Sequence, residues 1–259
     1  MNDAPNTGPA IEFRNVGYRL NNGTTLLRDL NLEVQRGETL VLLGRSGSGK
    51  TTTLKLINRL LTQSAGTILV DGRSLEKWDV IRLRRMIGYV IQEVGLFPHF
   101  TVSRNIGVVP RIEGWSADRI QRRVTELLRL VGLEPQLASR YPRELSGGQR
   151  QRVGVARALA ADPSFLLMDE PFGALDPITR AELQREFLAL QQRLGKTVVF
   201  VTHDLREALL LGTRIALMES GQLVVTLTPD EFVRSTNPLV ADYVDAFKTD
   251  ISNPQGKSR

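Results

Sequence analysis

A single segment, Gly44-Arg45-Ser46-Gly47-Ser48-Gly49-Lys50-Thr51, joins the apolar run Thr39-Leu40-Val41-Leu42-Leu43 to a stretch from Thr52 to Leu61 that reads as a helix. Strand, glycine loop and helix in that order restrict the chain to an α/β architecture that binds phosphate. The glycines let the backbone curl until its N–H groups face one point, and the helix N-terminus adds partial positive charge there. At this spacing Lys50 reaches the β- and γ-phosphates of a nucleoside triphosphate, and the Thr51 hydroxyl ligates Mg²⁺. Gly44 to Thr52 is therefore the expected phosphate cradle.

Downstream, Phe165-Leu166-Leu167-Met168 is continuously apolar, as in a strand buried on both faces of a parallel sheet, and it ends in Asp169 and Glu170. Ligands bind at the carboxyl ends of such strands. Asp169 is the candidate for holding Mg²⁺, directly or through water, and Glu170 for the base that orients the attacking water. Acids before Pro171 also fit a helix start, a reading that the upstream phosphate loop outweighs.

Between these two features stands Leu145-Ser146-Gly147-Gly148-Gln149. With all three in place, the chain from Ile11 to about Phe247 resembles the ATP-binding subunit of an ABC transporter. Leu145 to Gln149 matches that family's signature motif, Asp169-Glu170 its Walker B end, and Gly173-Ala174-Leu175-Asp176 its D-loop. Tyr18 matches the aromatic that stacks on adenine, Gln92 the Q-loop and His203 the switch histidine, all in family order. The resemblance implies a P-loop NTPase core of ABC type with an N-terminal antiparallel β layer and an inserted helical subdomain, using ATP and Mg²⁺.

The residues carried over make physical sense. Gln92 follows the β-like run Met86 to Ile91, so its amide can contact Mg²⁺ or water while sitting at a hinge. His203 comes at the end of the buried run Thr197 to Val201, where an imidazole can donate to the γ-phosphate and help fix the water. His99 has no such support and is read as structural. In the family picture the signature acts on a partner's nucleotide: Ser146, the N–H groups of Gly147 and Gly148, and Gln149 open a helix aimed at an anion. A homodimer closed through ATP is implied.

Organisation follows the same pattern. Residues 1–10 form a polar tail, 11–94 and 161–247 the ATPase core with its β layer, 95–160 the helical signature subdomain, and 248–259 a polar, disordered tail. Within the β layer, Asn21-Asn22-Gly23 marks a turn between short strands, one of which includes Tyr18. Gly66 to Val70 reads as a further strand before the Asp71-Gly72 turn. Ser116 to Val131 carries Ile120, Val124, Leu127, Leu128 and Val131 as a helical stripe.

Composition sets limits. The 259 residues, 41% hydrophobic, suffice for one core with a subdomain. Cysteine is absent, which excludes disulfides and suits a reducing compartment. No apolar stretch approaches the roughly eighteen residues of a membrane span, and Met1 to Ala10 has no apolar signal region. The expectation is a peripheral protein on the cytoplasmic face of the inner (plasma) membrane, with transport done by separate permease subunits and an extracytoplasmic substrate-binding protein engaged indirectly. The net charge of +6 is spread over arginines such as Arg82, Arg84, Arg85, Arg122 and Arg123 at spacings typical of solvated helix faces, so no nucleic-acid partner is expected.

Cargo is read from two stretches, Ile91 to Val102 and Met168 to Arg180, which are similar to the osmoprotectant branch importing glycine betaine, carnitine, choline or proline. Leu96-Phe97-Pro98 would then receive the permease, or else serve local packing. Many members of that branch continue into paired CBS domains that sense ionic strength; this sequence ends soon after Phe247, a departure that leaves osmotic regulation and the exact cargo open. Methionine, amino-acid and lipid systems use similar ATPases. A soluble ABC ATPase would more often carry two cassettes or a long coiled coil, and a P-loop kinase has no use for Leu145 to Gln149.

Overall fold

The computed structural model describes residues 8–92 and 94–252; both extreme ends and Glu93 lie outside the described residues. The chain opens with β1 (Ile11–Arg19), β2 (Thr25–Val34), β3 (Thr39–Leu43), α1 (Lys50–Ile57), β4 (Ala65–Val70), β5 (Arg73–Ser74), α2 (Val80–Arg85) and β6 (Ile87–Val90). A helical stretch follows: α3 (Val102–Ile106), α4 (Val108–Ile112), α5 (Ala117–Leu130) and α6 (Gly147–Ala158). Then come β7 (Phe165–Asp169), α7 (Pro177–Leu194), β8 (Thr197–Thr202), α8 (Leu205–Leu211), β9 (Arg214–Glu219) and β10 (Gln222–Leu227). Two helices, α9 (Pro229–Val233) and α10 (Pro238–Ser252), end the described chain.

The unalternating apolar runs become inner strands. Every residue of β3, β7 and β8 is buried, and the three lie side by side in a sheet of order β10-β9-β3-β8-β7-β6. All its pairings are parallel except that of β10 with β9. Burial on both faces is what such strands require, and β3 shows how it is met. Leu40 and Leu42 point into one core with Phe13, Leu30 and Ile68 of the antiparallel sheet β2-β1-β4-β5 and with Leu54 of α1. Val41 and Leu43 point into the other, with Leu127, Leu128, Val153 and Phe187 of the helices.

The β1–β2 hairpin turns at Asn21 to Gly23, where Gly23 adopts φ 87. In α5 the stripe Ile120, Val124, Leu127 and Leu128 is buried, and Ser116 caps the helix through its side chain. Ala10 belongs to the packed layer: it is buried, and its N–H donates to the carbonyl of Val34 at 2.8 Å. At the other end α10 runs through Lys248 to Ser252, so part of the segment read as a tail is helical; residues 253–259 and 1–7 lie outside the described residues.

Two readings of the sequence need correction. The first helix starts at Lys50 and ends at Ile57, not Leu61, because Arg59 turns to φ 53. Arg84 then donates to the freed carbonyls of Asn58 at 3.1 Å and Arg59 at 2.9 Å. Arg84 stays exposed, but Arg123, assigned with it to a solvated face, is only 20% exposed and donates to Leu159 at 2.9 Å and Ala160 at 3.3 Å, just past the end of α6. Guanidinium groups suit these places because the last carbonyls of a helix lack partners and carry negative partial charge.

Helix α6 leans closely on the sheet. A Cβ added at Gly88 of β6 would run into the carbonyl oxygen of Ala158. Gly88→Ala should therefore cost about 1–3 kcal/mol through a forced backbone shift. Urea unfolding checks this; an unchanged midpoint would mean the helix end yields freely.

Candidate nucleotide site

Parallel register delivers the ends of β3, β8 and β7 to one edge of the sheet: Leu43 is paired with Thr202, and Asp169 with Val201. Beyond that edge lies a cavity of about 690 Å³ lined by Gly44, Arg45, Ser46, Gly47, Ser48, Gly49, Lys50, Thr51, Thr52, Gln92, Glu170 and His203. Leu26 of β2 and Tyr243 of α10 complete the lining.

The loop's shape is set by its residues. Gly49 precedes α1 at φ 101, a conformation that side chains avoid. Lys50 is buried, and its ammonium folds back to donate to the carbonyls of Gly44 at 2.8 Å and Arg45 at 2.9 Å. Burial lowers its pKa, while the carboxylates of Glu170 and Asp169 oppose the shift. Such a cation, bonded only to neutral carbonyls, is ready for an anionic ligand.

Asp169 is buried and accepts the Thr51 hydroxyl at 2.8 Å. Burial pushes its pKa up, as does the charge of Glu170, whereas the bond from Thr51 pulls it down. Tyr89 of β6 donates to the second carboxylate oxygen at 3.5 Å, and burial holds that phenol above its ordinary range. A hydroxyl and a carboxylate at this spacing, with the Gln92 amide lining the adjoining cavity, form an all-oxygen donor set that fits Mg²⁺.

Glu170 stands in a strained conformation, φ 44, directly before Pro171. Its N–H donates to Val201 at 3.0 Å, and its carboxylate lies 3.2 Å from Nδ1 of His203. Strain of this kind collects at functional sites, where neighbouring structure imposes it. Here it turns the carboxylate away from the strand line and toward the cavity and the imidazole.

Other expected residues stand elsewhere. Tyr18 is partly buried against the core beneath the antiparallel sheet and is not among the cavity's lining residues; it pairs with Leu27, next to Leu26. Ser146, Gly147, Gly148 and Gln149 are also outside the lining. Ser146 accepts the Gln149 N–H at 3.2 Å and Gln149 accepts the Ser146 N–H at 2.9 Å, a reciprocal cap that opens α6. Ser146 and Gly147 are exposed. In the D-loop, Asp176 caps α7 by accepting the N–H groups of Ile178 and Thr179. His99 is exposed and lies outside the cavity lining. Leu26, Tyr89 and Tyr243 went unnoticed in the sequence, because each reaches the site through tertiary packing and belongs to no spaced motif.

Fold and cavity together define a P-loop nucleotide-binding protein of the α/β class. Residues 27–173 match the ABC transporter family, and the chain belongs to it. It is 47% identical over 245 residues to the glycine betaine/carnitine/choline transport ATP-binding protein of Bacillus subtilis (strain 168), covering 94% of this chain and 64% of the relative. It is 51% identical over 232 residues to a glycine betaine uptake system ATP-binding protein of Escherichia coli (strain K12), covering 86% of this chain and 75% of the relative. The chain thus spans less than two thirds of the length of the Bacillus relative. Among solved structures, a part of the cbiONQ ABC transporter complex of Clostridium perfringens superposes with TM-score 0.82 at 28% identity, covering 96% of this chain and 97% of that one. An ATP-binding cassette solved as a dimer in a post-hydrolysis state with ADP and Pi gives TM-score 0.76 at 32% identity, covering 85% and 98%.

Asp169 yields a test that separates stability from binding. A carboxyl group whose pKa is raised on folding is less comfortable charged in the fold than in the unfolded chain, so at neutral pH its charge is destabilising. Asp169→Asn keeps an acceptor for Thr51 and removes that charge. The nucleotide-free variant should melt no lower than wild type, while the Mg²⁺ needed to support ATP binding rises by about tenfold or more. Calorimetry and a Mg²⁺ titration read the two effects; a lower melting point with unchanged Mg²⁺ dependence would contradict both.

Proposed function

We propose that this chain is the ATP-hydrolysing motor subunit of a membrane importer for quaternary-amine osmoprotectants such as glycine betaine or choline. The observation that carries the reading is one cavity lined by the phosphate loop, Gln92, Glu170 and His203, with Ser146 and Gly147 of the signature exposed outside it.

In this reading Lys50 and the loop N–H groups hold the β- and γ-phosphates of ATP. Thr51, Asp169 and Gln92 hold Mg²⁺, which when bound offsets phosphate charge. Glu170 takes a hydrogen bond from the attacking water and orients it toward the γ-phosphate. His203, with Nδ1 turned to Glu170, directs its other ring nitrogen at the phosphate oxygens.

Half of the machinery is then presented to a second copy. The exposed start of α6 offers Ser146 and the N–H groups of Gly147 and Gly148 to the γ-phosphate bound by a partner, so two head-to-tail chains enclose two ATP molecules. The dimeric cassette among the structural relatives supports this arrangement. ATP binding closes the pair and hydrolysis reopens it.

Among the described residues no helix is long and apolar enough to cross a membrane, which suits a subunit that works on permease chains at the cytoplasmic face of the membrane. Phe97 is 47% exposed and lines a groove with Arg84, Arg85 and Val108, a surface suited to such a permease. The extracytoplasmic binding protein is engaged only through the permease. The cargo assignment rests on relatives named for glycine betaine, choline and carnitine transport.

Glu170→Gln tests the reading. The variant should bind ATP normally, hydrolyse it two to three decades more slowly, and remain a dimer in MgATP by light scattering. In cells it should abolish glycine betaine uptake through the assembled importer. Near wild-type turnover would remove Glu170 from the chemistry, and unaltered uptake would remove the osmoprotectant assignment.

A further inference from the structure

Behind His203 lies a buried polar cluster to which the proposed chemistry gives no task. Glu207 of α8 is 5% exposed, Gln184 of α7 9%, and Thr202 at the end of β8 2%. Gln184 donates its amide to one carboxylate oxygen of Glu207 at 2.9 Å, and Thr202 donates its hydroxyl to the other at 2.6 Å. The same Thr202 oxygen accepts the N–H of Asp204 at 3.0 Å, and Asp204 accepts the N–H of Arg206 at 2.7 Å as it caps α8.

Glu207 therefore clamps Thr202 on one side of His203, and the same Thr202 hydroxyl holds the N–H of Asp204 on the other. The imidazole itself is 63% exposed, and Glu170 lies 3.2 Å from it. An exposed side chain keeps a fixed direction only if its backbone is fixed, so the tight turn from β8 into α8 sets the histidine's aim. Burying a carboxylate is costly, and here burial raises its pKa, with the charge of Asp204 adding to the effect. Gln184 brings in a third element. It sits on α7, whose N-terminus is capped by Asp176 of the D-loop.

We propose that Glu207 is a positioning residue for His203, acting through Thr202 and the Thr202-His203-Asp204 turn, and that Gln184 ties this setting to the helix that follows the D-loop. The inference rests on the proposed ATPase role of His203. It treats Glu207 as a clamp whose geometry matters more than its charge.

The test is a set of steady-state ATPase measurements on the full chain with MgATP, using Glu207→Ala, Glu207→Gln, Thr202→Val and His203→Ala. Glu207→Ala should lower kcat by about ten- to hundredfold, as expected for a misaimed catalytic group, with KM for ATP changed less than about twofold. Glu207→Gln should recover most of that loss, because a carboxamide can accept from Thr202 while the Gln184 amide flips to accept in turn. Thr202→Val, which keeps the side chain's shape, should reproduce the loss and carries the test if Glu207→Ala fails to fold. Combined with His203→Ala, either clamp variant should add less than about a twofold further loss. A wild-type kcat in Glu207→Ala or Thr202→Val, or an undiminished penalty without His203, overturns the inference. A wild-type chain that does not hydrolyse ATP, or does so equally well without His203, overturns the functional reading and this inference with it.

Discussion

The parallel alignment of three fully buried strands is the constraint on which the rest depends. Because β3, β8 and β7 are neighbours running in the same direction, the segments that leave them must emerge at one edge. The phosphate loop, Glu170 and His203 are far apart in sequence and meet only for that reason. Their convergence needs both faces of the sheet covered. The antiparallel layer and α1 cover one face, and the helical stretch with α7 and α8 covers the other.

The site concentrates features that oppose stability. Lys50, Asp169 and Glu207 are buried charges whose pKa values move toward neutrality, and Glu170 holds a left-handed backbone before a proline. Each is held by specific hydrogen bonds: loop carbonyls for Lys50, the Thr51 hydroxyl for Asp169, Thr202 and Gln184 for Glu207. Elsewhere charge is used differently. Arg152 donates to carbonyls beyond α5, and Arg157 of α6 donates at 2.7 Å to both Val94 and Gly95, just past Gln92. The signature helix is thereby bonded to the segment that follows the Q-loop glutamine.

Much of this was legible in the sequence where a pattern is local. The inner strands showed as apolar runs without alternation, the phosphate loop as fixed glycine and lysine spacing, and α5 as a stripe of apolar residues at helical period. What escaped depends on contacts between distant segments. The early end of α1 follows from Arg59 and from Arg84, some way along the chain, and the role of Arg123 follows from where α6 happens to end. Leu26 and Tyr243 reach the cavity from β2 and α10, and nothing in their own neighbourhoods signals it. Tyr18, assigned by order in the sequence, packs partly against the core and pairs with Leu27, the chain neighbour of the cavity residue Leu26.

The central claim is that one chain supplies the phosphate loop and another the signature. Mixing two defective chains tests it most directly: Lys50→Ala, impaired in holding nucleotide, with Ser146→Arg, blocked at the start of α6. Each alone should be inactive, whereas the mixture should hydrolyse ATP, because its mixed pairs contain one site built from an intact loop and an intact signature. A mixture as inactive as its components would contradict a shared site, as would full activity of the Ser146→Arg chain alone.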